Sequence, residues 1–132
     1  MDTSRKLSFH VGKVKITSKG FVADYTTFWF GTNDAREAHY LTAILNSNIL
    51  DQMIKEHQPK GKFGPRHICR LPFEFNVPRF DPNNKLHRQI AVLGVKAEKQ
   101  AIDLPKKSRL KTKAAIPSMK EIDKLVQKLL RQ

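Results

Sequence analysis

The chain has 132 residues, of which 39% are hydrophobic, so one compact domain with a modest core is expected rather than several domains or a disordered chain. Its 25 Lys and Arg residues against 12 Asp and Glu residues leave a formal net charge of +13. This excess favours a polyanionic partner, either nucleic acid or an anionic membrane surface.

The single cysteine, Cys69, excludes an intramolecular disulfide and suits a reducing compartment. The segment from Met1 to Lys15 is too polar for a secretory signal. The longest aromatic run, Phe28-Trp29-Phe30, is far too short to cross a bilayer. We therefore expect a soluble, cytoplasmic protein without a membrane partner.

The N-terminal third carries a strand pattern. Residues 7–17 and 21–31 are rich in β-branched and aromatic residues, and Ser18-Lys19-Gly20 lies between them as a hairpin turn. Apolar groups occupy both faces of the second segment, which is typical of a strand that is covered on both sides. The pattern predicts a small β-hairpin or sheet.

A helical hairpin should follow the strands. Asp34 and Glu37 have the spacing of a capping box, and the apolar residues after them recur at helical intervals. The triplet Asn46-Ser47-Asn48 should end this helix and cap a second, shorter one, whose apolar residues are Ile49, Leu50, Met53 and Ile54.

Two further helices are predicted in the second half of the chain. Residues 71–80 form an extended, proline-containing segment or an edge strand, and a turn at 81–84 delivers a helix over about 85–101. Residues 104–117 contain five Lys and Arg residues and no acid, which is typical of an exposed linker. Ser118 and Glu121 then form a second capping box at the start of an amphipathic helix.

These elements predict an α+β fold, in which a small hairpin or sheet precedes a helical hairpin, an extended proline-containing segment and two later helices. We assign residues 1–103 to the α+β domain, 104–117 to a basic linker and 118–132 to a C-terminal amphipathic helix.

Motifs for catalysis or cofactor binding are missing from the sequence. It has no glycine-rich dinucleotide or phosphate loop and no Asp/Glu-x-Lys triplet of the kind used by metal-dependent nucleases. The nearest string to the Asp/Asn-Pro-Pro-aromatic loop of amino-methyltransferases is residues 81–84, which lacks the second proline and the aromatic residue. His67 and Cys69 lack the spacing of a zinc site. We expect no catalytic, cofactor or metal site in this chain.

Two basic segments are the candidate DNA-binding sites. Gly and Pro punctuate the first segment, in which cationic side chains flank Phe63; such groups hold phosphates, and guanidinium groups also read guanine edges. The alternative is a charged, solvated loop that Phe63 anchors in the core. Arg66 could also pair with Glu56 or Glu74 and hold the loop in place. The candidate residues are Lys60, Lys62, Arg66, His67 and Arg70 in this loop, and Lys106, Lys107, Arg109, Lys111 and Lys113 in the linker.

About half of the chain resembles a known family. The strings VADYTTFWF, EAHYLTAILNSNILDQMIKEHQPKGKFGPRHI and LPFEFNVPRFDPNNKLHRQIAVLG are similar to sequences near the C-termini of N6-adenine DNA methyltransferases, including those fused to restriction nucleases. The specific part is the order helix, Leu-Asn-Ser, helix, Gly-x-Phe-Gly-x-Arg, extended segment, Phe-Asp-Pro-x-Asn-x-x-His.

The resemblance implies a target-recognition region that works beside a separate catalytic domain, in which S-adenosylmethionine is bound. We therefore predict a non-catalytic DNA-specificity module whose partners are double-stranded DNA and a methyltransferase catalytic domain. Two alternatives remain. The chain could be an interaction module that packs against the catalytic domain without reading bases, which exposed aromatic residues near Trp29 would favour. An independent enzyme would need a cofactor site that the sequence lacks.

Overall fold

The computed structural model describes residues 30–57, 60–61, 64–65, 75–104 and 116–131. In chain order these residues form helices α1 (Ala35–Asn46) and α2 (Asn48–His57), strands β1 (Lys60–Gly61) and β2 (Gly64–Pro65), and helices α3 (Lys85–Asp103) and α4 (Ser118–Leu130). In this part of the chain, no helix is long and apolar enough to traverse a bilayer.

The predicted α+β fold is wrong, because the described structure is helical. Its strand pairing is limited to two dipeptides, β1 and β2, which lie antiparallel with Lys60 opposite Pro65. The hairpin predicted at 7–17 and 21–31 falls almost entirely outside the described residues, and its described end, Phe30 and Gly31, is not in a strand. The helices bury their apolar stripes against one another, so this core needs no sheet to cover it.

Three helices supply most of that core. Helix α3 lies between α1 and α4 and packs against both, while α2 packs against α1 and α4. The apolar faces recur every three or four residues, as an amphipathic helix requires. The buried hydrophobic residues are Tyr40, Ala43, Ile44, Leu50, Ile54, Ile90, Ala91, Leu93, Ala97, Met119, Ile122, Val126 and Leu129.

Asp34 caps the start of α1 as predicted, whereas Glu37 is connected to the Asp34 backbone through the Thr32 side chain. The Asp34 side chain accepts a hydrogen bond from the Arg36 backbone N–H at 2.8 Å. Glu37 accepts one from the Thr32 hydroxyl at 2.6 Å, and that hydroxyl accepts the Asp34 N–H at 3.1 Å. Thr32 therefore links the two acidic residues of the predicted capping box.

Ser47 joins α1 to α2. Its hydroxyl donates to the Ile44 carbonyl at 2.7 Å and accepts from the Leu50 N–H at 3.2 Å. One fully buried side chain thus ends the first helix and caps the second. The interruption predicted at Asn46-Ser47-Asn48 is confirmed.

The start of α4 differs from the prediction. Ser118 is already helical, and its buried hydroxyl has no hydrogen-bond partner within the described part of the chain. Its backbone N–H instead donates to Oε1 of Gln100, near the end of α3, at 3.2 Å. A residue 18 positions earlier therefore holds this helix end, and this contact brings the end of α3 to the start of α4.

Helices α1 and α3 approach each other closely at Gly94. A Cβ atom at this position would lie 2.5 Å from the His39 carbonyl oxygen of α1. One turn away, Nδ1 of His39 lies 3.4 Å from Oε2 of Glu98. The lack of a side chain at Gly94 allows the backbones of α1 and α3 to come close together at this point.

Candidate nucleic-acid interface

The structure places only one of the ten predicted DNA-binding residues. Lys60 lies in β1, directly after α2. Its backbone pairs with Pro65, on the far side of Lys62 and Phe63 in the chain. The remaining nine lie outside the described residues, so their DNA contacts stay predictions: Lys62, Arg66, His67, Arg70, Lys106, Lys107, Arg109, Lys111 and Lys113.

The net charge is divided unevenly between the described residues and the rest of the chain. Twelve Lys and Arg residues and nine Asp and Glu residues lie within the described ranges, which leaves a net charge of +3 there. The rest of the chain therefore carries +10 of the total +13. Because the described residues carry a net charge of only +3, a basic surface on them depends on how the cations are grouped.

The outer face of α4 is a continuous row of cations. Lys120, Lys124 and Lys128 follow one another at intervals of four residues, and Arg131 continues the row just beyond the helix end. At 3.6 residues per turn, the four fall within an arc of about 100°. All are exposed, whereas the opposite side of the helix is buried in the core.

The exposed face of α3 is also basic. Lys85, Arg88, Lys96 and Lys99 share an arc of about 100° with Gln89, Val92 and, in the last turn, Asp103. Most of these side chains are long, hydrated cations. Val92, two-thirds exposed, is the apolar exception.

Arg88 differs from these lysines because its guanidinium group is held in place. Its Nη1 donates to the backbone carbonyls of Pro82 at 2.8 Å and Asn83 at 3.1 Å. The same turn is fixed by Asn84, whose side chain accepts from the Leu86 N–H at 2.9 Å and caps α3. Arg88 is therefore an exposed cation with a defined position, and its other nitrogens remain able to donate.

A shallow groove runs between these two basic faces. Lys85, Arg88 and Lys128 lie on its lining, with Gln89, Leu93 and Leu125 between the helices. Glu121 is the single acidic residue among the lining residues described. Because cations of both helices line one groove, we group the two rows under one name, the α3–α4 basic face: Lys85, Arg88, Lys96, Lys99, Lys120, Lys124, Lys128 and Arg131.

Carboxylates of the described residues are engaged mainly elsewhere. Asp34 binds Arg36 at 2.9 Å, and this hydrogen-bonded contact lowers the pKa of Asp34 below its ordinary value. Asp51 pairs with Lys55 within α2, and Asp123 accepts the N–H and the amide group of Asn48, each at 2.8 Å. Within the described ranges, no cation of the α3–α4 basic face is paired with a carboxylate.

A buried aromatic cluster supports the turn that leads into α3. The hydroxyl of Tyr40 donates to the Pro78 carbonyl at 2.9 Å, and its ring lies 5.3 Å from that of Phe80 and 5.0 Å from His87. Nδ1 of buried His87 accepts the Asp81 N–H at 3.0 Å. Burial raises the pKa of Tyr40 to about 12. The Tyr40 hydroxyl and the His87 ring therefore hold residues 78–87 in place, and Arg88 follows this segment directly.

Metal-ligating side chains are dispersed over the described residues, among which no group of three or more His, Cys, Asp or Glu could hold a metal ion.

Sequence interpretation missed the α3–α4 basic face. It singled out cations in segments with Gly, Pro or no acids, whereas the helical cations are separated by core residues. Their signal in the sequence is the interval of four residues in Lys120, Lys124 and Lys128. Recognising them as unpaired also requires the tertiary packing, which directs Asp123 to Asn48.

Comparison of this chain with protein-family models, with curated proteins and with solved structures gives no significant match.

Proposed function

We propose that this chain is a non-catalytic DNA-binding module that positions an N6-adenine DNA methyltransferase of the restriction-modification type on its target. The observation that carries the proposal is the distribution of charge. Eight exposed cations share the α3–α4 basic face without carboxylate partners in the described structure, and the remaining segments add a further charge of +10. A surface of this kind is matched by the phosphates of a duplex.

The proposed division of roles follows from the physical character of the two basic segments, and the resemblance itself assigns no base contact to any residue. The basic loop from Lys60 to Arg70 reads bases, and the linker cations from Lys106 to Lys113 contact phosphates. S-adenosylmethionine and the methyl-transfer chemistry belong to a separate catalytic domain in the cytoplasm. Titration calorimetry of this chain with S-adenosylmethionine tests that separation, and we expect no heat of binding.

Salt dependence is the direct test of DNA binding. If about six phosphates are neutralised, the affinity for a duplex should fall on the order of a thousandfold between 50 and 200 mM salt. Fluorescence anisotropy with a labelled duplex of about 20 base pairs measures it, and the same titration with a neutral polymer is the control. Failure to bind any duplex at 50 mM salt rejects the proposal.

A second candidate function has one observation in its favour. Phe30 is 61% exposed on the described structure, next to the Phe28-Trp29 dipeptide. Exposed aromatic residues are enriched in the centres of protein–protein interfaces. The chain would then dock on the methyltransferase catalytic domain without reading bases. Sedimentation of this chain together with the methyltransferase catalytic domain tests the docking. The wild-type chain should form a complex, and the Phe30→Ser variant should not.

A further inference from the structure

We propose that the α3–α4 basic face binds the phosphodiester backbone of duplex DNA, with Arg88 as its best-positioned contact. This inference rests on the proposed function and adds to it a surface that lies outside the predicted loop and linker. It makes helices of the core, rather than the segments around them, the platform on which the duplex lies.

The spacing of the α4 cations suits a phosphate chain. A helix rises about 1.5 Å per residue, so Lys120, Lys124 and Lys128 follow one another at about 6 Å along the axis. Long lysine side chains can adjust over several ångströms, and each can meet a phosphate of a passing strand. Flexible lysines carry little sequence information, so this contact is independent of base sequence.

Arg88 contributes a contact of a different kind. Two backbone carbonyls already hold Nη1, so little side-chain entropy remains to be lost when the guanidinium meets a phosphate. Lys85 lies one turn before it, and Lys128 of α4 lines the adjoining part of the groove, so three cations meet there with Glu121 as the acidic residue of the lining.

The packing of α4 favours DNA over a lipid surface. A helix that binds a membrane interface places its apolar side among the acyl chains. The apolar side of α4 is already occupied, since Ile122, Val126 and Leu129 are buried in the core. Its outer side offers only Lys, Arg, Gln and Glu residues. Inserting this helix into a bilayer would require the core to open.

Two triple variants of the full chain with the same change in net charge test the proposal. The first, Lys120→Gln/Lys124→Gln/Lys128→Gln, removes three cations of the face. The second, Arg36→Gln/Lys55→Gln/Arg79→Gln, removes three exposed cations on other elements. Surface substitutions of this kind change stability by about 0.5 kcal/mol or less each, and circular dichroism checks the fold.

We expect the α4 triple variant to lose affinity for a 20-base-pair duplex on the order of a hundredfold at 0.1 M salt, and its salt slope to fall by about 2.7. The control triple variant should lose about threefold or less, through net charge alone. If wild-type chain binds DNA and both variants lose affinity equally, the α3–α4 basic face is the wrong surface, and the proposed function then rests on the +10 charge of the other segments. If wild-type chain fails to bind, the proposed function itself fails.

A gain of affinity provides an independent test. Glu121 lines the groove, and its carboxylate repels phosphates there. Glu121→Gln should therefore strengthen duplex binding, and Glu56→Gln on α2, with the same charge change, should strengthen it less. Equal effects of the two substitutions would overturn the proposal. So would tighter binding of wild-type chain to vesicles of equal phosphatidylserine and phosphatidylcholine than to duplex, at equal phosphate concentration.

Discussion

Gly94 carries a role that no other residue type can fill without moving a helix. A methyl group there would stand 2.5 Å from the His39 carbonyl oxygen and 3.3 Å from the Cβ atom of Ala43. The first contact is with backbone, so relief requires α1 to shift away from α3. Alanine would otherwise favour the helix by about 1 kcal/mol.

We therefore predict that Gly94→Ala destabilises the chain by about 2 kcal/mol, because the overpacking cost exceeds the gain in helix propensity. Urea unfolding followed by circular dichroism measures the loss. Lys96→Ala, an exposed substitution in the same helix, is the matched control and should change the free energy of unfolding by about 0.5 kcal/mol or less. A Gly94→Ala protein as stable as wild type would show that α1 and α3 are not in close contact here.

The raised pKa of Tyr40 makes the stability of the folded chain depend on pH above 10. Burial raises its pKa from 10.0 to about 12 in the folded chain. The unfolded chain therefore loses this proton first as the pH rises. The stability that the neutral phenol provides is fully present below pH 10 and is lost as the pH rises toward 12, with a slope of at most about 1.4 kcal/mol per pH unit.

The measurement is the urea midpoint at several pH values between 9 and 11. The informative quantity is the difference between wild type and Tyr40→Phe, because pH effects that the two proteins share cancel in it. Removing the hydroxyl costs about 1 kcal/mol at neutral pH, because the Pro78 carbonyl loses its partner. This difference should shrink as the pH rises above 10. A constant difference would mean that Tyr40 ionises alike in both states.

At the scale of elements, the two buried serines at helix starts differ in function: one caps a helix and the other does not. Ser47 makes two hydrogen bonds at the junction of α1 and α2. The Ser118 hydroxyl at the start of α4 makes none with the residues that the structure describes. Both hydroxyls are buried.

Ser47→Ala should cost about 1 to 2 kcal/mol, since it leaves the Leu50 N–H without its acceptor. Ser118→Ala should be neutral or stabilising, because it removes a buried hydroxyl without a partner. Thermal unfolding of the two single variants decides it. A larger loss for Ser118→Ala than for Ser47→Ala would contradict this assignment of the helix starts.

The helices were predictable from the sequence, while the α+β fold class was a false prediction. Apolar residues at intervals of three and four, with Asp34, Ser47 and Asn84 as caps, are local signals, and the structure confirms the four helices. The α+β class was inferred from β-branched and aromatic content, which indicates packing against a surface more than a backbone preference. The start of α4 depends on Gln100, a contact between distant residues that no local pattern contains.

At the scale of the whole molecule, the candidate site is defined by where the positive charge lies. The sequence shows that the chain is basic, and it marks two basic segments. It does not show which carboxylates are engaged away from the basic face, because that depends on tertiary contacts such as the one between Asp123 and Asn48. For this reason the predicted site contains the loop and the linker, and the α3–α4 basic face emerged only from the folded helices.

The two basic segments, the loop from Lys60 to Arg70 and the linker from Lys106 to Lys113, should respond differently to substitution. Lys106→Gln/Lys107→Gln/Lys111→Gln should weaken binding to any two unrelated duplexes by the same factor and should flatten the salt slope, because linker lysines follow phosphates. Arg66→Ala, in contrast, should weaken binding to a duplex that contains the target sequence more than binding to one that lacks it. The reason is that a bidentate base contact discriminates between bases by about 1–3 kcal/mol. The quantity to compare is the ratio of the two affinities for each variant, at one fixed salt concentration, across a panel of duplexes. An Arg66→Ala protein that is folded and keeps this ratio unchanged throughout the panel would place Arg66 in an internal ion pair with Glu56 or Glu74, and base reading would then have to come from other residues.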